Sequence, residues 1–285
     1  MSGPARNEAT ETPRYAVNLS MLFTEVPLLA RPAAAKEAGF DAVEFWWPFT
    51  TAVPGDAEVD EFVGAVTDAG VQLIGLNFFA GDMPGGDRGL VSWPARSAEF
   101  RDNIDVTVGI GERLGCTAFN ALYGNRVDDS TPEAQDEVAA ENLALAAAAA
   151  ARIGGVVLVE PVSGAPKYPL LTAADVIAVI DRVERDAGVS NVKFLCDLYH
   201  LDVNGDDVAK AIDTYFDRIG HVQIADSPGR GEPGTGTLDI AGHLAALAAK
   251  GYRGYVALEY KPTAGTLAGL SWLPLADRSS ASATV

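Results

Sequence analysis

Val156-Val157-Leu158-Val159-Glu160, a helical pattern over residues 173–186, and Val192-Lys193-Phe194-Leu195-Cys196-Asp197 hold the pattern of the whole chain in miniature. A short β-branched run ends in an acid, a helix follows, and the next short run again ends in an acid. Continuous apolar runs of this length read as strands buried on both faces, and the helix between them is what a parallel crossover requires. The alternation continues outward in both directions. Toward the N-terminus, runs at residues 15–19, 41–45, 71–78 and 117–122 are followed by helical patterns at 26–38, 57–69, 94–114 and 132–153. Toward the C-terminus, the run at 192–197 and those at 219–225 and 255–260 are followed by patterns at 206–216, 240–250 and 266–273. Eight strand–helix units in 285 residues predict an α/β protein, a (β/α)8 TIM barrel forming a single domain over residues 14–276. The rival, an open doubly wound sheet, would usually carry a glycine-rich phosphate turn after its first strand. Ser20-Met21-Leu22-Phe23-Thr24 has no glycine, so that fingerprint is absent. Residues 1–13 and 277–285 are rich in Ser, Thr, Ala and Pro without apolar periodicity, and are expected as a flexible N-terminal segment and C-terminal tail.

Composition narrows the partners. With 21 Lys and Arg against 39 Asp and Glu, the net charge is −18. Nucleic-acid binding needs a basic footprint and an anionic membrane attracts basic segments, so neither partner is expected. No apolar run reaches the ~18 residues of a membrane span, and residues 1–13 lack the apolar core of a signal peptide. Cys116 and Cys196 are too few for a disulfide framework or a thiolate zinc site, which fits a reducing, cytoplasmic setting.

In such a barrel, chemistry sits at the C-terminal ends of strands. The fifth run ends in Glu160, the sixth in Asp197 and the eighth in Glu259, and the seventh carries Gln223 near its end. One acid at a strand end is often a helix cap. Four oxygen-bearing side chains on four consecutive strands form a cluster, and buried carboxylates facing one another need a cation or protons between them. An all-oxygen set suits Mg2+ or Mn2+ better than Zn2+. His200, three residues after Asp197, is read as a loop donor to substrate or to the metal's surroundings, against a capping role. His221, two residues before Gln223, points into the same interior one layer deeper. Arg230, in the loop after the seventh run, is a candidate clamp for a substrate carboxylate. Lys261 is a weaker candidate of the same kind, and Glu44 ends the second run facing the same mouth. Asn18 and Asn77 stand near strand ends. Phe45-Trp46-Trp47-Pro48-Phe49 is either pocket wall or a contact in a homo-oligomer, and the glycine-rich residues 81–89 are either a mobile lid or a plain surface loop.

Several of these motifs resemble the hydroxypyruvate isomerase family, among the xylose-isomerase-like barrels. They are Asn18-Leu19-Ser20-Met21-Leu22-Phe23-Thr24-Glu25-Val26-Pro27, Leu158-Val159-Glu160-Pro161, Asp197-Leu198-Tyr199-His200, His221-Val222-Gln223-Ile224-Ala225 and Glu259-Tyr260-Lys261-Pro262. The likeness runs over residues 15–272. It implies a metal site of Glu160, Asp197, Gln223 and Glu259, with Glu160 and Glu259 as the acid/base pair. Ketose 3-epimerases of the superfamily usually have histidine where Gln223 stands, which points to the isomerase branch, whose members also include 2-oxo-tetronate isomerases. Leu122-Tyr123-Gly124-Asn125-Arg126 departs from the family's pattern on the strand-four side of the pocket. The expected activity is a metal-dependent isomerisation of a small keto-hydroxy (sugar) acid, hydroxypyruvate to tartronate semialdehyde or a 2-oxo-tetronate, through an enediolate. The alternatives are a ketose 3-epimerase, a metal-dependent hydrolase or nuclease on the same barrel, and a non-catalytic sugar-acid binding protein.

Overall fold

The computed structural model describes residues 13–279. Among them, eight strands pair in chain order, all parallel, and the last returns to the first: β1 (Arg14–Asn18), β2 (Ala42–Phe45), β3 (Gln72–Asn77), β4 (Ala118–Asn120), β5 (Val156–Val159), β6 (Val192–Asp197), β7 (Ile219–Ile224) and β8 (Tyr255–Leu258). Closure sets Val17 of β1 opposite Leu258 of β8, so no strand edge is left exposed. The open-sheet rival is thereby excluded. Helices α1 (Arg31–Glu37), α2 (Asp56–Ala69), α3 (Ser97–Leu114), α4 (Pro132–Ala151), α5 (Ala173–Ala187), α6 (Leu198–Val203), α7 (Val208–Tyr215), α8 (Ile240–Ala249) and α9 (Thr266–Gly269) follow the strands.

Outward-facing strand residues such as Val17, Val43, Phe119, Val157 and Phe194 are fully buried against the helices, which is why the strands read as unbroken apolar runs. α4 buries Ala139, Ala146, Ala147, Ala149 and Ala150, small side chains that let it lie close to the barrel. Its start is set by Thr131, whose hydroxyl accepts the Ala134 N–H, and by Pro132 in the first turn. α5 begins in a Thr172–Asp175 capping box and stops at Gly188, which takes the left-handed conformation (φ 70°). Inside the barrel, Ala16, Ala42 and Ala257 pack with Ile74 and Tyr255 below the catalytic face.

Three expectations change in the structure. The first helix opens as a 3-10 turn at Leu28–Ala30. The stretch after β6, expected as loop, forms α6, too short for periodicity to show. The last helix shrinks to α9. At the C-terminal end, the Arg278 guanidinium donates to the carbonyls of Ala38 (3.0 Å), Leu270 (2.9 Å) and Leu273 (3.0 Å), so residues 277–279 pack against the barrel. The rest of the two expected loose ends lies outside the described residues, except Pro13. Among the described residues no helix is long and apolar enough to cross a membrane.

Candidate active site

Each strand presents a polar side chain at its C-terminal end. In chain order these are Asn18, Glu44, Asn77, Asn120, Glu160, Asp197, Gln223 and Glu259, all buried. The parallel register sets Asn18 beside Glu44, Asn77 beside Asn120 and Asp197 beside Gln223. Hydrogen bonds join Asn120 to Glu160 and, as a separate group, Asn18, Glu44, Gln223 and Glu259. The Asn120 amide donates to Glu160 Oε1 (2.6 Å), and Asn18 Nδ2 donates to Glu44 Oε1 (2.8 Å) and Glu259 Oε1 (3.2 Å).

Buried together, the carboxylates disfavour one another's charge. Burial, then the charges of Glu259 and Asp197, holds the Glu160 carboxyl well above its usual range. Burial also raises Asp197, against the pull of Arg230 and of two backbone N–H groups. Burial, with Asp197 and Glu44 adding to it and Arg230 opposing, pushes Glu259 up to about 7. Arg230 supplies the positive charge present. Its guanidinium pairs with the Glu259 carboxylate, lies 3.9 Å from Asp197 Oδ2 and sits over the Tyr199 ring at 5.3 Å. Burial works against that charge, but Glu259, Asp197 and Glu160 outweigh it and hold Arg230 protonated. In this arrangement the fork expected for a substrate carboxylate is turned onto Glu259.

The loop that carries Arg230 is braced from below. Asp226 accepts the N–H groups of Ser227 (2.8 Å), Gly234 (2.7 Å) and Leu238 (3.1 Å). Arg230 itself has φ 59°, a left-handed conformation that costs a non-glycine residue ~1–2 kcal/mol. Its carbonyl accepts the Lys261 N–H at 2.7 Å. The Lys261 side chain is exposed and makes no hydrogen bond or ion pair with the carboxylates.

Gln223 has two unlike ends. Its Nε2 donates to Glu44 Oε1 (2.7 Å) and, more weakly, to Glu259 Oε1 (3.3 Å). Its Oε1 is buried with no donor, as is Asn120 Oδ1. Buried acceptors are rarely left bare, so each marks a place for a ligand, ion or water. Glu44, expected at the mouth, is instead locked inside: Oε2 lies 2.7 Å from His221 Nε2, and Oε1 is shared by Asn18 and Gln223. Burial opposes its charge, but His221 and these donors outweigh it, so Glu44 stays ionised.

Glu160, Asp197 and His200 bring one ligand atom each within 4.8 Å of one another. His200 stands on α6 rather than in a loop, because Asp197 caps that helix by accepting the Tyr199 and His200 N–H groups (2.8 and 3.2 Å). Its Nδ1 accepts the Ser163 N–H at 3.0 Å, which leaves the proton of the neutral ring on Nε2, 3.6 Å from Asp197 Oδ2. Burial and then Arg230 hold the ring neutral, its pKa down to about 3. His200 therefore offers a donor, not a lone pair, toward the cluster.

Two contributors escape a reading of the residues one at a time. Asn120 holds Glu160, and its only signal is a lone amide inside the fourth apolar run. Trp46 donates its indole N–H to Glu259 Oε1 at 2.7 Å, although beside Phe45 and Trp47 it reads as wall. Next to this centre lies a cavity of about 540 Å3 lined by Trp46, Trp47, Asn77, Phe79, Met83 and Leu122. The loop at 81–89 bounds it and is tied down: Asp87 accepts from Asp82 N–H (2.8 Å) and Arg96 (2.7 Å), and Gly89 (φ 112°) crosses so close that a Cβ there would lie 1.9 Å from the Leu122 carbonyl.

Comparison with known proteins bears on this geometry. The profile of the xylose isomerase-like TIM barrel family matches residues 32–275. A Streptomyces coelicolor protein named "Putative hydroxypyruvate isomerase" is 55% identical over 270 residues, covering 93% of this chain and 97% of its own. The hydroxypyruvate isomerase of Escherichia coli is 33% identical over 262 residues, 91% of this chain and 98% of its own. A 2-oxo-tetronate isomerase of Cupriavidus necator is 35% identical over 263 residues, 92% and 97%. A crystal structure from Brucella melitensis, described as an AP endonuclease of family 2, superposes with a TM-score of 0.82 at 34% identity, over 91% of this chain and 97% of that one.

Proposed function

This chain belongs to the xylose isomerase-like TIM barrel family and is an isomerase of small keto acids, and from that premise we propose that it shifts the carbonyl of hydroxypyruvate or a 2-oxo-tetronate to the neighbouring carbon with the help of a divalent cation. The observation that carries this reading is the set of three buried carboxylates and one bare amide oxygen on the consecutive strands β5 to β8. Those residues fit a cation: Glu160, Asp197, Gln223 and Glu259 offer oxygen alone, the preference of Mg2+ or Mn2+. The bound ion would supply positive charge to the substrate's carbonyl and adjacent hydroxyl oxygens, where negative charge grows as the C–H proton leaves.

The side chains do the rest. Asn120 holds Oε1 of Glu160, leaving its other oxygen to exchange a proton with one substrate carbon. Glu259, the other member of the pair, exchanges a proton with the neighbouring carbon. For hydroxypyruvate, a proton leaves C3 and one returns to C2, while the C3 hydroxyl proton is lost and the C2 oxygen gains one, giving tartronate semialdehyde. His200 hydrogen-bonds a substrate oxygen through its Nε2–H and keeps the proton, and Arg230 exchanges Glu259 for the substrate carboxylate. A chain of net charge −18 suits a small substrate better than a nucleic acid. The two buried free thiols, Cys116 and Cys196, fit a reducing cytoplasm.

The test is to incubate keto-hydroxy acids with the protein in D2O with Mg2+ or Mn2+ and read proton NMR. Aldehyde (or aldehyde hydrate) signals with deuterium entering at C2 are expected for hydroxypyruvate. Inversion of a carbinol with the carbonyl unmoved would instead make it a 3-epimerase, and binding without exchange would make it a binding protein.

A further inference from the structure

Glu44 is a buried carboxylate that the reaction above does not use. It sits at the end of β2, where the register with β3 shifts between Val43 and Glu44. Its neighbour there is Gly75, where a Cβ would come within 3.2 Å of both Cβ and Oε2 of Glu44. The local backbone thus makes room for this side chain. Glu44 is in turn held on three sides: by His221 at 2.7 Å, by Asn18 at 2.8 Å and by Gln223 at 2.7 Å. Asn18 cannot easily turn, because its own Oδ1 accepts the Ser20 N–H at 2.9 Å.

A glutamine amide has two ends of nearly equal size, and only its partners decide which points where. At Gln223 the nitrogen faces two carboxylate oxygens, on Glu44 and Glu259. The opposite rotamer would set the amide oxygen against both, an arrangement with repulsion and no donor. Glu259 alone gives the weaker of the two contacts, so Glu44 decides the orientation. The end left over is Oε1, buried and bare.

We propose that Glu44 is a positioning residue that, braced by His221 and Asn18, turns the Gln223 amide so that its oxygen faces the cation. The inference rests on the metal reading above. It assigns Glu44 neither to substrate binding nor to proton transfer.

The test is Mn2+ binding to the metal-free full chain, read by electron paramagnetic resonance of free Mn2+ and by calorimetry. No Mn2+ binding by the unsubstituted chain would overturn the metal reading itself, and this inference with it. Given that the unsubstituted chain binds, Glu44→Gln is expected to bind Mn2+ ~10–100-fold more weakly, the usual cost of losing a residue that orients a ligand. A Glu44→Gln variant that melts lower but binds Mn2+ as tightly as before would show a structural role only and overturn the proposal. Should this variant fail to fold, the unsubstituted chain still decides. The Gln223 side-chain NH2 should exchange slowly with solvent before and after Mg2+ addition, while its Cδ resonance shifts on addition. Fast exchange or an unmoved Cδ would overturn the proposal.

Discussion

A carboxylate buried among carboxylates must find a proton or a cation, and Glu160, Asp197 and Glu259 are all in that position. Glu160→Gln and Glu259→Gln are each expected to lower turnover by at least ~10²–10⁴-fold with the circular dichroism spectrum unchanged. A fully active Glu259→Gln would sink the acid/base assignment. The raised pKa values also set a pH dependence. The fold favours the protonated form of Glu259, so its contribution to stability is complete below the ordinary value of 4.5 and is lost as pH rises through about 7. Glu160 and Asp197 act in the same direction. The metal-free protein should therefore lose more melting temperature between pH 5 and 8 than its Glu259→Gln variant does. Added Mg2+ or Mn2+ should raise the melting temperature more at pH 8 than at pH 5, because ligation needs deprotonated carboxylates. A variant with the same pH slope as the unsubstituted chain would refute the linkage. At this scale the acids were legible, since a charged residue closing an apolar run is conspicuous. Asn120 and Trp46 were not, because their roles lie in what they touch: Glu160, 40 residues away in the chain, and Glu259, 213 residues away.

The elements show the same division. α3 contains two helical glycines with opposite surroundings. Nothing lies within 4 Å of a Cβ built on Gly109, whereas one on Gly111 would meet Phe119 Cζ at 2.4 Å and the Cys116 carbonyl at 2.8 Å. Gly109→Ala should stabilise the protein by ~0.5–1 kcal/mol, the usual helix gain. Gly111→Ala should destabilise it by ~1–3 kcal/mol, because α3 could no longer approach β4 so closely. Chemical denaturation of the two variants checks the contrast, and equal effects would contradict the packing. Both glycines look alike in the sequence. The strand–helix alternation, by contrast, needed no contacts to be read, and the regular elements fall within a few residues of expectation. α6 is the exception. Its six residues are too few for a periodic signal, and it exists because a site carboxylate, Asp197, caps it.

For the whole molecule, a charge of −18 opposes the approach of an anionic keto acid from any direction. Salt screens that repulsion over ~8–10 Å at 0.1–0.15 M, while Arg230 and the proposed cation would act inside the pocket where screening is weak. The KM for such a substrate should fall as ionic strength rises from 0.01 to 0.15 M. A KM that rises instead would mean that the local attraction is the screened part. The amino-acid sequence by itself determined the closed eight-unit barrel and placed Glu160, Asp197, Gln223 and Glu259 at strand ends, because short apolar runs and helical periodicity are local properties of the chain. The tertiary structure alone decided that Glu44 is buried against His221, Asn18 and Gln223, that the neutral ring of His200 keeps its proton on Nε2, and that Arg230 is turned onto Glu259. Those outcomes depend on which side chains from different strands meet inside the closed barrel. In a buried, low-dielectric interior, each hydrogen bond's partner settles the orientation and charge of the group that makes it.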